Sequence, residues 1–233
     1  GKALAHPSTL SDDARNRLKT LWKGTQDHVW QVINKLNEYL GEKTVPITLD
    51  YGQIRKTYAR GTVRERHVAR ALVDALRQRY ASADEFRGIV RSLYEDWGAV
   101  VDVDDEVGLQ NQMRGRQLKA GKPAFVEEDS SAFFSLDEVR WIILDGDGIP
   151  CYPVLADESK DLGEYENDPA ALAGKLEALR FHAVEFIPSR NGVDHLKRYA
   201  RILRESGFCV TFGTEHNTPG MSSLVPSARG GAA

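Results

Sequence analysis

Cysteine is scarce, with only Cys151 and Cys209 among 233 residues. Two thiols cannot build a structural zinc site by themselves, and the cysteine-dense framework of small secreted domains is excluded. Both lie in runs that read as buried strands, so reduced core thiols are expected, which favours a cytoplasmic location. Neither sign of charge dominates: 31 Lys and Arg against 34 Asp and Glu leave a net charge of −3. A global field that would hold nucleic acid or an anionic membrane is therefore absent. Long apolar runs are missing as well. The longest, such as Trp141 to Leu144, fall far short of the roughly eighteen residues a bilayer requires. The opening GKALAHPST has no basic stretch leading into an apolar run, so no signal peptide is expected, and Gly1 stands where an initiator methionine would. Motifs with strong local signatures are lacking too. There is no GxxxxGKS/T phosphate loop, no GxGxxG after a strand, no GxSxG elbow and no HExxH helix, which takes weight from nucleotide-dependent and serine-hydrolase classes.

What is present is ordinary globular composition, with 41% hydrophobic and 28% charged residues, enough for a sizeable core in one large domain or two small ones. From Ser11 to Leu40 the residues Leu18, Trp22, Val29, Ile33, Leu36 and Leu40 recur near the helical period, with Thr9 or Ser11 as a cap and Gly41 as a stop. Val45 to Tyr51 reads as a short strand. Thr62 and Glu65 have capping-box spacing, and so do Ser82 with Glu85 and Ser135 with Glu138, each opening a helix. Val101 to Lys122 is charged and weakly periodic, a mobile loop or a further short helix. Helices thus dominate residues 1–145.

The later part of the chain differs. Ile149 to Leu155, Ala183 to Pro188 and Phe208 to Gly213 are short β-branched and aromatic runs, and a helix from Gly192 to Ser206 lies between the last two. This predicts a βαβ unit, which is right-handed and sets the loops after both strands on one edge of a parallel sheet, where α/β folds bind ligands. Those loops carry Arg190 and the pair Glu215–His216. A carboxylate beside an imidazole can ligate a divalent cation or act as a base with its partner, though in a polar loop both can equally be solvated or capping. Glu185 sits inside an otherwise apolar strand, where a carboxylate needs a partner, a metal or an exposed face. Arg190 has the fork geometry to hold a carboxylate or phosphate, or else lies on the surface. Arg66 and His67, in the first turns of the helix after Thr62, are an anion subsite or a solvated face with a packed histidine.

The segments Leu49-Asp50-Tyr51, Ala59 to Ala69 and Phe212-Gly213-Thr214-Glu215-His216-Asn217-Thr218 together resemble bacterial proteins of the polymerase and histidinol phosphatase (PHP) superfamily. The resemblance implies an α/β chain. Its fold would be a PHP-like distorted (β/α) barrel of about seven strands, or the C-terminal portion of one. Residues 1–145 would be a mainly helical insertion or subdomain, 146–220 the barrel portion and 221–233 a flexible tail. It also implies a metal-dependent hydrolase, phosphoesterase-like, acting on a small anionic substrate with a divalent metal (Zn, Mn or Mg). In that reading Glu215 and His216 hold the metal, Glu185 joins them in catalysis, and Arg66, His67, Arg190 and Asn217 bind substrate. The sequence departs from the family pattern in three places. The final acid is Glu with His adjacent to it, the opening His-x-His is missing, and Tyr152 stands where a strand-end histidine precedes Pro153. Either the chain lacks an N-terminal half or it is a relative with a reduced metal site. A barrel-type sugar isomerase or epimerase, and a non-catalytic binding or interaction module with a degenerate metal site, are the alternatives.

Overall fold

The structure is a computed structural model and describes residues 1–2, 6–129, 133–155, 157, 163–214 and 223–230. The chain divides into two compact units, one of Leu18–Phe133 and one of Gly1–Arg17 with Phe134–Ala233.

The Leu18–Phe133 unit is helical. It takes in most of α1 (Asp12–Glu42), then α2 (Tyr51–Tyr58), α3 (Glu65–Arg79), α4 (Ala83–Tyr94) and α5 (Glu106–Met113), which runs directly into a π-helical turn, Arg114–Leu118. The apolar spacing of α1 brings Ile33, Leu36 and Leu40 against Leu72, Leu76, Leu93, Leu109 and Met113 in one buried cluster. Ser82 caps α4 as its spacing predicts, its side chain accepting from the Glu85 amide at 3.1 Å.

Two local expectations in this unit are corrected. Residues 45–50 form no strand, because the backbone of Leu49 is satisfied by a side chain: Asn37 Nδ2 donates to Leu49 O and Leu49 N donates to Asn37 Oδ1, both at 2.8 Å. Asp50 then caps α2. The helix expected from Thr62 begins instead at Glu65. Gln26 holds Val63 extended, accepting its N–H at 2.8 Å and donating to its carbonyl at 3.3 Å. With that backbone spoken for, the first helical turn moves past Arg64.

The second unit contains α6 (Leu136–Asp145), β1 (Cys151–Val154), α7 (Pro169–Ala178), β2 (Ala183–Phe186), α8 (Val193–Glu205) and β3 (Cys209–Phe212). Ser135 and Glu138 form the expected capping box on α6. The strands are parallel and lie in chain order, β1-β2-β3, with Cys151, Ala183 and Cys209 in register. The fold is therefore mixed α/β, but among the described residues the sheet is open and three-stranded, and no barrel closes. Tyr152, Val154, Val184 and Phe186 pack with Leu172 and Leu176 of α7 and with Tyr199 and Leu203 of α8. Both helices thus cover the same face. The opposite face carries Cys151, Pro153, Glu185, Cys209 and Thr211, all exposed or half-buried, with the small, buried Ala183 between the two cysteines. The expectation that both cysteines are core thiols is corrected, since Cys209 is exposed. No helix among the described residues is long and apolar enough to cross a membrane.

The Asn37 clamp and the Ser135 cap predict a ranking. Asn37→Ala strands two backbone groups of the buried Leu49 and should cost about 2 to 3 kcal/mol. Ser135→Ala opens one exposed cap and should cost about 1 kcal/mol. Urea unfolding of the two variants side by side measures the order, and a larger loss for Ser135→Ala would contradict it.

Candidate functional site

The parallel order brings the residues after β1 and β2 to one edge of the sheet, and β3 ends there as well. Beyond β1 lies Asp157. Beyond β2 come the 3₁₀ turn Pro188–Arg190, then Asn191, and then α8 with His195 in its first turn. Beyond β3 come Gly213 and Thr214. Glu215, His216 and Asn217, the sequence-predicted metal and substrate residues, lie outside the described residues.

Glu185 stands on the uncovered face of β2, with Pro153 and Thr211 as its register neighbours. Its carboxylate is not buried alone: Lys2 Nζ donates to Oε1, and the pair is about one-third exposed. The hydrogen bond to Glu185 raises the Lys2 ammonium above its usual range. Lys2 is held there because its backbone bridges Ile149 in both directions, at 2.9 and 2.8 Å. The Glu185 carboxylate also lies over Gly213, where a Cβ would come within 2.5 Å of Oε1. Burial pushes the Cys151 thiol up, while the nearby Lys2 ammonium opposes that shift.

Tyr152, the second residue of β1, points to the helix-covered face and donates to Glu166 Oε1 at 2.8 Å. Its hydroxyl is therefore committed to the 3₁₀ turn Glu164–Asn167 before α7, away from Glu185.

A second cluster forms where α8 begins. Asp157 Oδ2 accepts from the Gly192 amide and from Arg229 Nη2, both at 2.7 Å. The Gly192 hydrogen bond, helped by Arg229, holds the Asp157 carboxyl below its usual range. Arg229 also donates from its backbone to Asn191 O at 2.9 Å, so part of the segment expected as a tail is fastened to the β2–α8 turn. Arg190 is exposed on that turn. Asp157, Asn191, His195, Arg229 and Lys2 were not singled out by sequence reasoning. Only the strand-end position of Asn191 could have marked it, and nothing local marks Lys2, which is 183 positions from its partner.

Arg66 and His67 belong to the other unit, as does the cleft of about 540 Å³ that Arg66 lines. That cleft does not have the charge an anion subsite needs. Its border sets Asp27, Glu65, Glu127, Glu128 and Asp129 against Arg64, Arg66 and Arg114. Glu65 already supplies the anion in the first turn of α3 and is bonded by Arg114 at 3.2 Å and Lys119 at 2.5 Å. His67 is a cap: its Nδ1 accepts the Arg64 N–H at 3.1 Å. Burial, reinforced by Arg66, Arg64 and Arg70, lowers its pKa.

Among the described residues no group of three or more His, Cys, Asp and Glu stands together as a metal site. Comparison with family models, with curated proteins and with solved structures finds no match to this chain.

The His67 cap makes a pH prediction. An imidazole whose pKa is depressed on folding binds its proton more readily in the unfolded chain. Its contribution is therefore full above the unfolded value of about 6.5 and is lost as pH falls through the folded value. His67→Ala should cost about 1 kcal/mol at neutral pH and should flatten the decline in stability on acidification. Chemical denaturation at neutral pH and at pH values below the imidazole range checks both parts, and an unchanged acid decline in His67→Ala would contradict the assignment.

Proposed function

We propose that the unit built on β1, β2 and β3 is the later part of a PHP-like, metal-dependent hydrolase acting on a small anionic substrate at the carboxyl edge of its sheet. The observation that supports this best is the position of Glu185 over Gly213, two residues before Glu215 and three before His216. A strand-borne carboxylate on the uncovered face thus stands beside the backbone that leads into the only Glu-His pair of the chain. The winding supports the same reading. Strands in chain order with their helices on one face are the arrangement of a (β/α) barrel segment, with the other face turned inward.

The donor set fits a hard or borderline divalent cation such as Zn, Mn or Mg, since two carboxylates and an imidazole are among its ordinary ligands. Glu185 already accepts a cation, the Lys2 ammonium, on one oxygen. Glu185, Glu215 and His216 would hold the metal. When bound, it would lower the pKa of a coordinated water and polarise the ester. Arg190 and Asn217 would orient the anionic group by charge and hydrogen bonding. Arg66 and His67 have no part in this reading, because the acidic cleft and the capping role account for them.

The test is metal analysis of the purified, reconstituted protein, together with phosphate release from a panel of small phosphomonoesters. The reading expects stoichiometric divalent cation, a loss of about tenfold or more in metal affinity in Glu185→Gln, and release that stops on chelation. Less than about a tenth of an equivalent of any divalent cation after reconstitution, or release indifferent to chelation, would overturn it.

A further inference from the structure

The open sheet has two outer edges, and they are finished differently. At one of them Pro153 takes a backbone donor out of β1, and Lys2 bridges Ile149 just ahead of that strand. At the other, β3 has neither device, and among the described residues no strand pairs with its outer side. Cys209 N donates inward to His182 O at 2.8 Å, and Gly213 N to Phe186 O at 2.9 Å. A parallel ladder engages alternate residues, so Val210 and Phe212 turn their N–H and C=O groups outward. Through such groups a sheet accepts a further strand.

The flank of that edge offers room and chemistry for side chains. A groove of about 760 Å³ lies against β3 and α8, lined by Phe208, Val210 and Phe212 and by Ala200, Arg201 and Arg204. Phe212 stacks on Phe186 yet stays 51% exposed, so apolar surface lies beside the open ladder. The helix side is positive. Lys197, Arg201 and Arg204 stand at i, i+4 and i+7, one row along α8, and all three are exposed. Arg198 pairs with Asp168 at 3.4 Å, but none of the three in the row forms an ion pair among the described residues. Glu205 is the one carboxylate that lines the groove.

The chemistry separates the possible occupants of this edge. A second copy of the chain would bring two arginines and one glutamate from each groove to the seam, a surplus of like charge. A nucleic acid answers the positive row but has no peptide backbone to complete alternating N–H and C=O groups. An extended acidic peptide answers every feature. Its backbone pairs with Val210 and Phe212, an apolar side chain covers Phe212, and its carboxylates meet Arg201 and Arg204.

We infer that the outer edge of β3 is a docking site for an extended, acidic segment of a partner protein, which adds a fourth strand to the sheet. The inference does not rest on the hydrolase reading, because it uses neither Glu185 nor the Glu215–His216 pair.

The experiment measures binding to the full chain by fluorescence polarisation and follows the amides of Val210 and Phe212 by NMR hydrogen exchange. The probes are a short labelled peptide alternating Val and Glu, the same peptide N-methylated along its backbone, a peptide alternating Val and Lys, and oligothymidine. The Val-Glu peptide should bind saturably and slow exchange at Val210 and Phe212. The N-methylated and Val-Lys peptides should bind about tenfold more weakly or worse. Arg201→Glu combined with Arg204→Glu changes only exposed positions of α8, so the fold is kept, and it should weaken the Val-Glu peptide about tenfold and favour the Val-Lys peptide. Absence of saturable binding by the Val-Glu peptide, unchanged exchange at Val210 and Phe212, or equal binding of the N-methylated peptide overturns the inference. So does a dimer in sedimentation that Val210→Pro converts to monomer, which assigns the edge to a second copy. Oligothymidine binding more tightly than the Val-Glu peptide overturns it as well.

Discussion

Parallel pairing obliges a chain to climb back over the sheet between each strand and the next, and the hand of that return decides which face is covered. In the unit built on β1, β2 and β3 both returns, α7 and α8, fall on one side, where Tyr152, Val154, Val184 and Phe186 meet Leu172, Leu176, Tyr199 and Leu203. The other features of this unit follow from that. Apolar burial is concentrated on one face, so the second face can tolerate Glu185 and Thr211 in mid-strand, and it is there that Lys2 finds its carboxylate. Strands in chain order also carry every strand's following residues to the same edge, which is why Asp157, Asn191 and Gly213 share it.

The order of that edge comes from hydrogen bonds more than from apolar packing. Asp157 joins the residues after β1 to the first amide of α8 and to Arg229, and Arg229 returns a backbone bond to Asn191. Three segments distant in sequence are tied through one carboxylate. It accepts at 2.7 Å from a main-chain amide at the positive end of α8, a setting that favours its charged form. Glu65 puts a carboxylate in the first turn of α3, where Arg114 and Lys119 pair with it. These two helix starts are thus each supplied with an anion.

Much of the local structure is legible in the sequence because short-range chemistry decides it. Ser82 and Ser135 cap where Ser-x-x-Glu spacing says they should, and the apolar runs around Val184 and Val210 pair in parallel as a βαβ pattern requires. The misreadings arise where a distant side chain takes over a backbone. Asn37 satisfies Leu49, so an extended segment that looks like a strand has no ladder. Gln26 does the same for Val63 and delays the helix that Thr62 was expected to open. The candidate site is legible in part. Glu185 is marked by being a carboxylate in an apolar strand, but its partner Lys2 is 183 positions away, and no periodicity or motif connects the two.

Four buried side-chain atoms lack a partner among the described residues: Tyr94 OH, Gln117 Oε1, Asn191 Oδ1 and His195 Nε2. Each such atom costs about 1 to 3 kcal/mol when left dry, so their locations carry information. Tyr94 and Gln117 are neighbours inside the helical core. Gln117 donates to the carbonyl of Leu93, the residue before Tyr94, and a buried water can complete an atom of this kind. Asn191 is held by its bond to Ile187 O, and His195 is stacked on Tyr199. They also stand at the carboxyl edge, where α/β folds bind their ligands. An unmet hydrogen bond in a core is a packing matter settled within the protein. At the start of α8 the amide is answered by a carboxylate, that of Asp157, so what distinguishes this helix start is the unmet pair of atoms beside it, Asn191 Oδ1 and His195 Nε2.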